Sequence, residues 1–253
     1  MTFEELKKLL SFSESAAIEA HWILSEKPSD TNIHKIISRR KQGEPLSKIL
    51  GHRGFWKGDF IVDKNVLDPR PDSETLIQAV LEKFPNRNLS LRVLDLGTGS
   101  GCLLISLLME YQKVMGVGVD ISPKAIKIAQ KNAIKNGVKA EFILADMAKL
   151  PKTLGNFDIV ISNPPYIPTK EIKVLDKNVK EYDPYLALNG GEDGLDFYRI
   201  IAKIAPAQIL FLEIGQGQKK EVQDIFKLQR WQLLDYKKDF EGIIRVLIFK
   251  KDL

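Results

Sequence analysis

From residue 91 onward, short apolar segments alternate with longer segments of helical periodicity, and this alternation restricts the chain to few folds. Seven strands are predicted, at 91–96, 114–120, 140–145, 157–162, 207–214, 231–236 and 243–250. Four helices are predicted between them, at 101–111, 122–136, 194–204 and 217–228. Such alternation favours a mostly parallel sheet with helices on both faces, and the short last connection permits an antiparallel pair at one edge. The sequence therefore predicts an α/β fold with a seven-stranded sheet.

The N-terminal part of the chain follows a different pattern. Residues 1–40 show helical periodicity and predict three or more short helices. Ser29-Asp30-Thr31 is typical of a helix start, and Gly43-Glu44-Pro45 is expected to close the last of these helices. We therefore expect a helical unit that precedes the sheet.

Between the helical unit and the sheet, the sequence predicts a β-hairpin. Aromatic and apolar residues alternate loosely from Gly54 to Asp68, with turn residues at Gly58-Asp59 and at Asp63-Lys64-Asn65. These patterns divide the chain into three predicted parts: a helical domain at 1–53, a hairpin linker at 54–72 and the main α/β domain at 73–253.

The composition excludes several classes of protein. With 44% hydrophobic and 28% charged residues over 253 positions, the chain can form a sizeable core, and wholesale disorder is excluded. Its single cysteine, Cys102, cannot form an internal disulfide and is expected to be a packing residue in a reducing compartment. The sequence shows neither a signal segment nor an apolar run of about 18 residues, so we predict a soluble, cytoplasmic protein without membrane contact. The net charge of +5 is too modest to require nucleic acid as a partner.

A glycine-rich segment, Asp95-Leu96-Gly97-Thr98-Gly99-Ser100-Gly101, connects the first predicted strand of the sheet to a helix. Glycine permits a tight turn and lets a ligand approach the backbone. Free N–H groups at the helix start would hold the pyrophosphate of a dinucleotide, whereas S-adenosylmethionine, which lacks phosphate, would pack its methionine and ribose parts against the loop. The candidate cofactor-binding residues are Gly97, Thr98, Gly99, Ser100 and Gly101.

Acidic residues end the next two predicted strands. Asp120 lies where a carboxylate could accept hydrogen bonds from both ribose hydroxyls, although it could also cap the helix near Ser122-Pro123. Asp146 could accept a hydrogen bond from the adenine amino group while Met147 packs against the ring. The alternative for this pair is a turn residue followed by a core residue. No metal site is predicted.

The fourth predicted strand ends in Asn163-Pro164-Pro165-Tyr166. Proline restricts the residue before it to extended geometry, so the Asn163 side-chain carbonyl and the Pro164 backbone carbonyl could both point into a site as fixed acceptors. Two acceptors suit a planar NH2 group, and Tyr166 would stack on its plane. Asn163, Pro164 and Tyr166 are therefore candidate catalytic residues, and Asn163 is also a candidate for cofactor contact.

The chain resembles the release factor glutamine methyltransferase family, in segments that run nearly from end to end. The Asn-Pro-Pro-Tyr segment is shared with adenine-amino methyltransferases, whereas the Pro-Arg-Pro and Gly-Gly-x-Asp-Gly-Leu segments are more particular to this family. The matching segments are Gly43-Glu44-Pro45, Val66 to Glu74, Val93 to Gly101, Val119 to Ser122, Asp158 to Ile167, Tyr182-Asp183-Pro184, Leu186-Ala187-Leu188, Gly190 to Leu195 and Leu212 to Gly215.

The resemblance implies a Rossmann-like, seven-stranded S-adenosylmethionine-dependent methyltransferase domain with an N-terminal helical domain and a linking β-hairpin. It implies that the substrate is the glutamine of the Gly-Gly-Gln motif in peptide chain release factors, methylated on its side-chain amide nitrogen. By resemblance, residues Gly97 to Gly101, Asp120 and Met147 would contact S-adenosylmethionine. The residues that would hold the glutamine are Asn163, Pro164, Pro165 and Tyr166.

Several alternatives stay open at the level of sequence. The N-terminal helices could grip a large partner or simply cover the sheet. The same acceptor motif could serve a ribosomal-protein glutamine or the adenine amino group in DNA or RNA, although the short segment after Tyr166 balances its lysines with acidic residues and leaves little room for a nucleic-acid-recognition insert. A non-catalytic cofactor-binding module is a third alternative, which the intact Asn163 argues against. We expect a monomer that requires no nucleic acid.

Overall fold

The computed structural model describes residues 1–252, except for the side chain of Lys152. Leu253, the last residue of the predicted main domain, lies outside the described residues. Within residues 1–252, no helix is both long enough and apolar enough to cross a bilayer.

The chain begins with four helices around a small apolar core of their own. They are α1 (Phe3–Leu9), α2 (Ala16–Ser25), α3 (Asp30–Lys41) and α4 (Leu46–Leu50). Ser29 caps α3 as expected, since its hydroxyl accepts a hydrogen bond from the Asn32 backbone N–H. The Gly43-Glu44-Pro45 segment follows α3, but one more helix comes after it, so the prediction that it closes the last N-terminal helix is wrong. The buried core residues are Leu6, Leu10, Ala20, Ile23, Ile33, Ile36, Ile37 and Leu46.

A β-hairpin follows these helices, but its turn is not where the sequence placed it. Strands β1 (His52–Phe55) and β2 (Gly58–Ile61) are joined by Trp56 and Lys57. Trp56 has a left-handed backbone (φ 53°), and it is held there because its backbone N–H donates to Glu74 Oε1 at 2.7 Å and its indole N–H to Glu110 Oε1 at 2.6 Å. The predicted turn at Gly58-Asp59 instead lies within β2, and Asp63-Lys64-Asn65 forms a separate turn after the hairpin.

The main sheet has seven strands in the order β5-β4-β3-β6-β7-β9-β8. Strands β3 to β7 are parallel, and β9 is antiparallel to both of its neighbours. This confirms the predicted α/β sheet and its antiparallel edge. The strands are β3 (Arg92–Leu96), β4 (Met115–Asp120), β5 (Glu141–Leu144), β6 (Phe157–Ser162), β7 (Ala207–Glu213), β8 (Trp231–Lys238) and β9 (Ile244–Lys251).

Helices cover both faces of this sheet. Apolar residues of α5 and α6 pack on one face, and apolar residues of α11 and α12 pack on the other. Three short helices, α8 to α10, lie in the long segment that follows β6. The helices are α5 (Glu74–Lys83), α6 (Cys102–Glu110), α7 (Pro123–Lys135), α8 (Thr169–Ile172), α9 (Lys177–Lys180), α10 (Tyr185–Leu188), α11 (Asp196–Ile204) and α12 (Lys219–Leu228).

The buried side chain of Asn132 connects the hairpin to the glycine-rich loop. Its Oδ1 accepts from the Ile61 backbone N–H at 2.7 Å, and its Nδ2 donates to the carbonyl oxygens of Ile61 at 3.1 Å and Ser100 at 2.8 Å. Because a buried amide without these partners would cost about 1–3 kcal/mol, Asn132 fixes the hairpin on α7 and steadies the loop.

Candidate active site

A pocket opens at the carboxyl ends of β3 to β6, where the strand order reverses between β3 and β6. In open α/β sheets, ligands bind in the crevice at such a reversal. Two segments outside the sheet, 65–70 and 184–187, contribute to the wall opposite the strand ends.

The structure brings most of the predicted site residues together in this pocket. They are Gly97, Thr98, Gly99, Ser100, Asp120, Asp146, Met147, Asn163 and Pro165. Gly101, Pro164 and Tyr166 are not among the described residues that line the pocket. Pro164 is buried, and the Tyr166 ring lies beside Gly215.

Gly101 serves helix packing at this position. Its backbone is left-handed (φ 81°), and a β-carbon there would come within 2.9 Å of Ile105 Cδ1 and 3.2 Å of Ala129 Cβ. Ile105 belongs to α6 and Ala129 to α7. Gly101 therefore lets these two helices approach each other at the start of α6.

Four backbone N–H groups of the glycine-rich loop are already engaged within the protein. The N–H groups of Gly97 and Thr98 both donate to the Val119 carbonyl oxygen, at 2.9 and 3.0 Å. Gly99 N–H donates to Asp120 Oδ2 at 2.9 Å, and Gly101 N–H donates to the Thr98 carbonyl oxygen at 2.8 Å. Since a pyrophosphate needs free N–H donors, these contacts favour a ligand that packs against the loop without phosphate.

Asp95, which begins the loop motif, was not singled out from the sequence. Burial raises the pKa of Asp95 to about 7, although a hydrogen bond from the Thr98 hydroxyl to its Oδ2 at 2.6 Å acts in the opposite direction. Within residues 1–252, the buried Oδ1 has no hydrogen-bond partner. The sequence feature that could have marked Asp95 is its position as a single acidic residue inside the apolar run Val93–Leu96. Through Thr98, Asp95 holds the loop at the pocket floor.

Asp120 lines the pocket, and its carboxylate also accepts hydrogen bonds from two backbone N–H groups. Besides Gly99 N–H, it accepts a hydrogen bond from Ser122 N–H on its Oδ1 at 2.8 Å. Burial raises the pKa of Asp120, and the backbone donors oppose this shift. The cap of α7 that Asp120 could have supplied comes from Ser122, whose hydroxyl accepts from Ala125 N–H at 3.2 Å. Each carboxylate oxygen of Asp120 therefore keeps a lone pair for a ligand.

Asp146 is a turn residue, and it also lines the pocket, so the predicted adenine contact stays a prediction. Its Oδ1 accepts a hydrogen bond from Ala148 N–H at 2.9 Å, which starts the short 3₁₀ turn Met147–Lys149. Its side chain and that of Met147 also line the pocket. Met147 Cε lies 3.5 Å from where a β-carbon on Gly97 would stand, so Met147 and the loop face each other.

Asn163 stands at the tip of β6 and lines the pocket. Its Nδ2 donates a hydrogen bond to the Ser73 hydroxyl at 3.1 Å. Ser73 comes from the turn that precedes α5 and lines the same pocket. With the amide nitrogen held in this way, the side-chain oxygen of Asn163 is left as an acceptor for a ligand.

A buried ion network holds the two outer segments of the wall. Lys48 Nζ lies 2.8 Å from Asp68 Oδ1 and 3.2 Å from Asp183 Oδ1, and Arg70 Nη2 lies 2.7 Å from Asp183 Oδ2. Burial raises the pKa of Asp183, and the charges of Lys48 and Arg70 oppose this shift. The network therefore joins α4 to both segments, which the sequence marked only through the Pro-Arg-Pro and Tyr-Asp-Pro motifs.

The charge of the pocket wall favours a cationic ligand. Asp120 and Asp146 line it, while the two other charged residues among the described lining, Asp68 and Arg70, are paired with Lys48 and Asp183. Cys102 also lines the pocket, but burial raises the pKa of its thiol to about 12, so it is not a reactive thiolate. This agrees with its expected packing role.

Comparison with known proteins is consistent with this geometry. Residues 88–210 match a family model described as a methyltransferase domain. The chain is 42% identical over 226 residues to a release factor glutamine methyltransferase of Rhodospirillum rubrum, a match that covers 87% of this chain and 68% of the relative. It is 35% identical over 257 residues to the release factor glutamine methyltransferase of Geobacter sulfurreducens, covering 92% of this chain and 89% of the relative.

Solved structures support the fold. The chain is similar to a Thermus thermophilus 16S rRNA N2 G1207 methyltransferase in complex with AdoMet and guanosine, with a TM-score of 0.55 and 21% identity. That match covers 77% of this chain and 47% of the other.

Proposed function

This chain belongs to the release factor glutamine methyltransferase family, and we propose that it methylates the side-chain amide nitrogen of the glutamine in the Gly-Gly-Gln motif of peptide chain release factors. The observation that carries this proposal is the placement of Asn163 at the tip of β6. Its nitrogen is tied to Ser73, and its oxygen is left for a carboxamide NH2 in the pocket.

The residues of the pocket fit S-adenosylmethionine as the cofactor. The loop amides from Gly97 to Gly99 are engaged internally, as suits a ligand without phosphate, and the acidic wall suits a positively charged sulfonium. Asp120 would accept hydrogen bonds from the ribose hydroxyls, and Asp146 from the adenine amino group, while Met147 packs against adenine. When bound, S-adenosylmethionine supplies a methyl group to the lone pair of the acceptor nitrogen and keeps the electron pair of the broken C–S bond on its sulfur.

The protein's own contribution to methyl transfer is to orient the acceptor. Asn163 Oδ1 would accept one N–H of the glutamine amide, and the Pro164 carbonyl oxygen would accept the other, which fixes the plane of the amide and aims its nitrogen. The Pro164 contact stays a prediction, because Pro164 is buried and does not line the pocket. Once the nitrogen has formed its new bond, one of its protons leaves to water. Stacking by Tyr166 also stays a prediction, because its ring lies beside Gly215 and does not line the pocket.

We further propose that residues 1–53 form a domain that grips the release factor. A second, polar cleft lies beside the pocket, between α2 and the segment 178–183. Asp68 and Arg70 line both the cleft and the pocket, so a protein bound in the cleft would reach the active site. We propose that the enzyme is monomeric and cytoplasmic and needs no nucleic acid. Sedimentation of the enzyme alone and with release factor would test the monomeric state.

The proposed function is tested by offering the wild-type enzyme three acceptors side by side with labelled S-adenosylmethionine. The acceptors are purified release factors, ribosomal proteins and adenine-containing DNA. We expect incorporation into release factors alone, at the glutamine of the Gly-Gly-Gln motif by tandem mass spectrometry. Label in ribosomal protein or DNA, with none in release factors, would reject the proposal.

Asp120→Ala is expected to weaken binding of S-adenosylmethionine about 10-fold to 100-fold, because the lost hydrogen bonds to a charged acceptor are worth roughly 1.5–3 kcal/mol. Isothermal titration calorimetry measures this change. Asp158→Ala is a matched control, since Asp158 is an exposed strand aspartate that accepts a hydrogen bond from the Arg92 backbone N–H outside the pocket. An unchanged dissociation constant for Asp120→Ala would exclude the ribose contact.

A further inference from the structure

A buried glutamate lies behind the acceptor residue. In the parallel pairing of β6 with β7, Ser162 lies opposite Leu212, so Asn163 and Glu213 follow as neighbours at the two strand tips. Glu213 is 2% exposed, and its carboxyl group lies against the Ser73 hydroxyl and the Asn163 amide. Within residues 1–252, its Oε2 has no fixed hydrogen-bond partner. The Ser73 hydroxyl, which can rotate, and the Asn163 NH2 group are two donors that lie against this carboxyl group.

The contacts among Glu213, Ser73 and Asn163 fix which group donates each hydrogen bond and which accepts it. An ionised carboxylate only accepts hydrogen bonds, so the Ser73 hydroxyl and the Asn163 amide can meet Glu213 only as donors. Ser73 Oγ then offers only lone pairs to Asn163, which must present its NH2 group, as the 3.1 Å contact from Nδ2 shows. The oxygen of Asn163 is thereby turned toward the pocket. Without this chain of contacts, a carboxamide has two orientations of similar size and shape.

We propose that Glu213 is a positioning residue that acts through Ser73 to fix which end of the Asn163 carboxamide faces the acceptor. The inference rests on the proposed function, since it concerns the orientation of the same carboxamide. With Asn163 reversed, its NH2 would face the NH2 of the substrate glutamine, and two donors cannot form a hydrogen bond.

The electrostatics around Glu213 give the proposal a pH signature. Burial raises the pKa of Glu213 to about 7, and Ser73, Arg245 and Asn163 oppose this shift while Asp72 adds to it. A protonated Glu213 can donate to Ser73, which frees the serine hydroxyl to donate to Asn163 Oδ1 and reverses the amide. The other titratable groups that face Glu213 are Tyr166, Tyr198 and Cys102. We therefore expect kcat/KM to fall as pH drops below about 7. Since Asp95 also titrates near 7, assignment to Glu213 requires the inflection to vanish in Glu213→Gln.

The experiment compares Ser73→Ala, Ser73→Thr, Glu213→Gln and the double variant Ser73→Ala/Glu213→Gln, with release factor as the acceptor. We expect Ser73→Ala and Glu213→Gln each to lower kcat about 10-fold to 100-fold, the range for residues that orient a functional side chain. Ser73→Thr, which keeps the hydroxyl, should retain most activity. The double variant should be no slower than the slower single one, because both break the same chain. The dissociation constant for S-adenosylmethionine should change less than about twofold.

Ser106→Ala is the matched control, because Ser106 is fully buried in α6 and, within residues 1–252, its hydroxyl has no hydrogen-bond partner. Normal kcat in Ser73→Ala and Glu213→Gln, with an active wild type, would overturn the positioning role and leave the proposed function standing. An inactive wild type would count against the function instead.

A second measurement needs neither activity nor a folded variant. The side-chain amide resonances of Asn163 in ¹⁵N-labelled wild-type protein should shift with an inflection near pH 7. Resonances that stay constant from about pH 5 to 9 would overturn the proposal directly.

Discussion

Replacing Asn163 with alanine is expected to abolish glutamine methylation while leaving cofactor binding largely intact. The variant loses the side-chain acceptor that fixes the amide plane of the substrate, and removal of one such oriented polar group lowers kcat by about 10²–10³-fold. Asn163 is only one of many residues around the cofactor pocket, so affinity for S-adenosylmethionine should change little. Mass spectrometry of a release factor incubated with labelled cofactor measures the first effect, and calorimetry measures the second.

Asn88→Ala serves as the control for this experiment, since Asn88 is an exposed residue in the loop before β3. It should methylate at the wild-type rate. Undiminished incorporation by Asn163→Ala would remove Asn163 from the catalytic role. Loss of both methylation and cofactor binding would place it in the cofactor site alone.

Replacing Lys48 with methionine is expected to lower the free energy of unfolding by about 3–5 kcal/mol, the range for breaking a buried ion pair. The Lys48, Asp68 and Asp183 side chains are only 3%, 5% and 3% exposed. Without the ammonium group, the partners that the two aspartates keep among the described residues are Ser47 and Arg70, and buried negative charge is left without compensation. Urea denaturation at neutral pH measures the loss.

Arg199→Met is the matched comparison, because Arg199 forms an exposed pair with Asp193 in which both side chains are more than two-fifths accessible. Screening by water limits such a pair to about 0–1 kcal/mol. If both variants lose the same small amount, the Lys48 network does not stabilise the fold. Since the network also holds segments 65–70 and 184–187, Lys48→Met should weaken cofactor binding as well.

Most of the sheet could be predicted from the sequence because its strands are apolar segments bounded by clear turn residues. The segment Phe157–Ser162 is one example, and its bounds agree with the prediction. The hairpin turn could not be predicted, because Trp56 is held in a left-handed conformation by Glu74 and Glu110, two contacts that arise only on folding. Helices α8 to α10 have four residues each and are too short to show helical periodicity.

The candidate site was also only partly predictable from the sequence. Asp120, Asp146 and Asn163 could be predicted to meet because each follows a parallel strand, and the carboxyl ends of such strands lie at one edge of the sheet. Arg70 and Asp183 are 113 residues apart, and their pairing depends on the fold around Lys48. Glu213 gave a weak signal as a single acidic residue in the buried run Leu210–Ile214. The domain boundaries at 53 and 72 stay a prediction.

The most direct test is a crystal structure of the enzyme with a release factor and S-adenosylhomocysteine. We expect the glutamine Nε2 of the Gly-Gly-Gln motif to lie within about 3.2 Å of both Asn163 Oδ1 and the Pro164 carbonyl oxygen, with the cofactor product against the glycine-rich loop. A glutamine bound elsewhere, or an Asn163 oxygen turned toward Ser73, would contradict the mechanism.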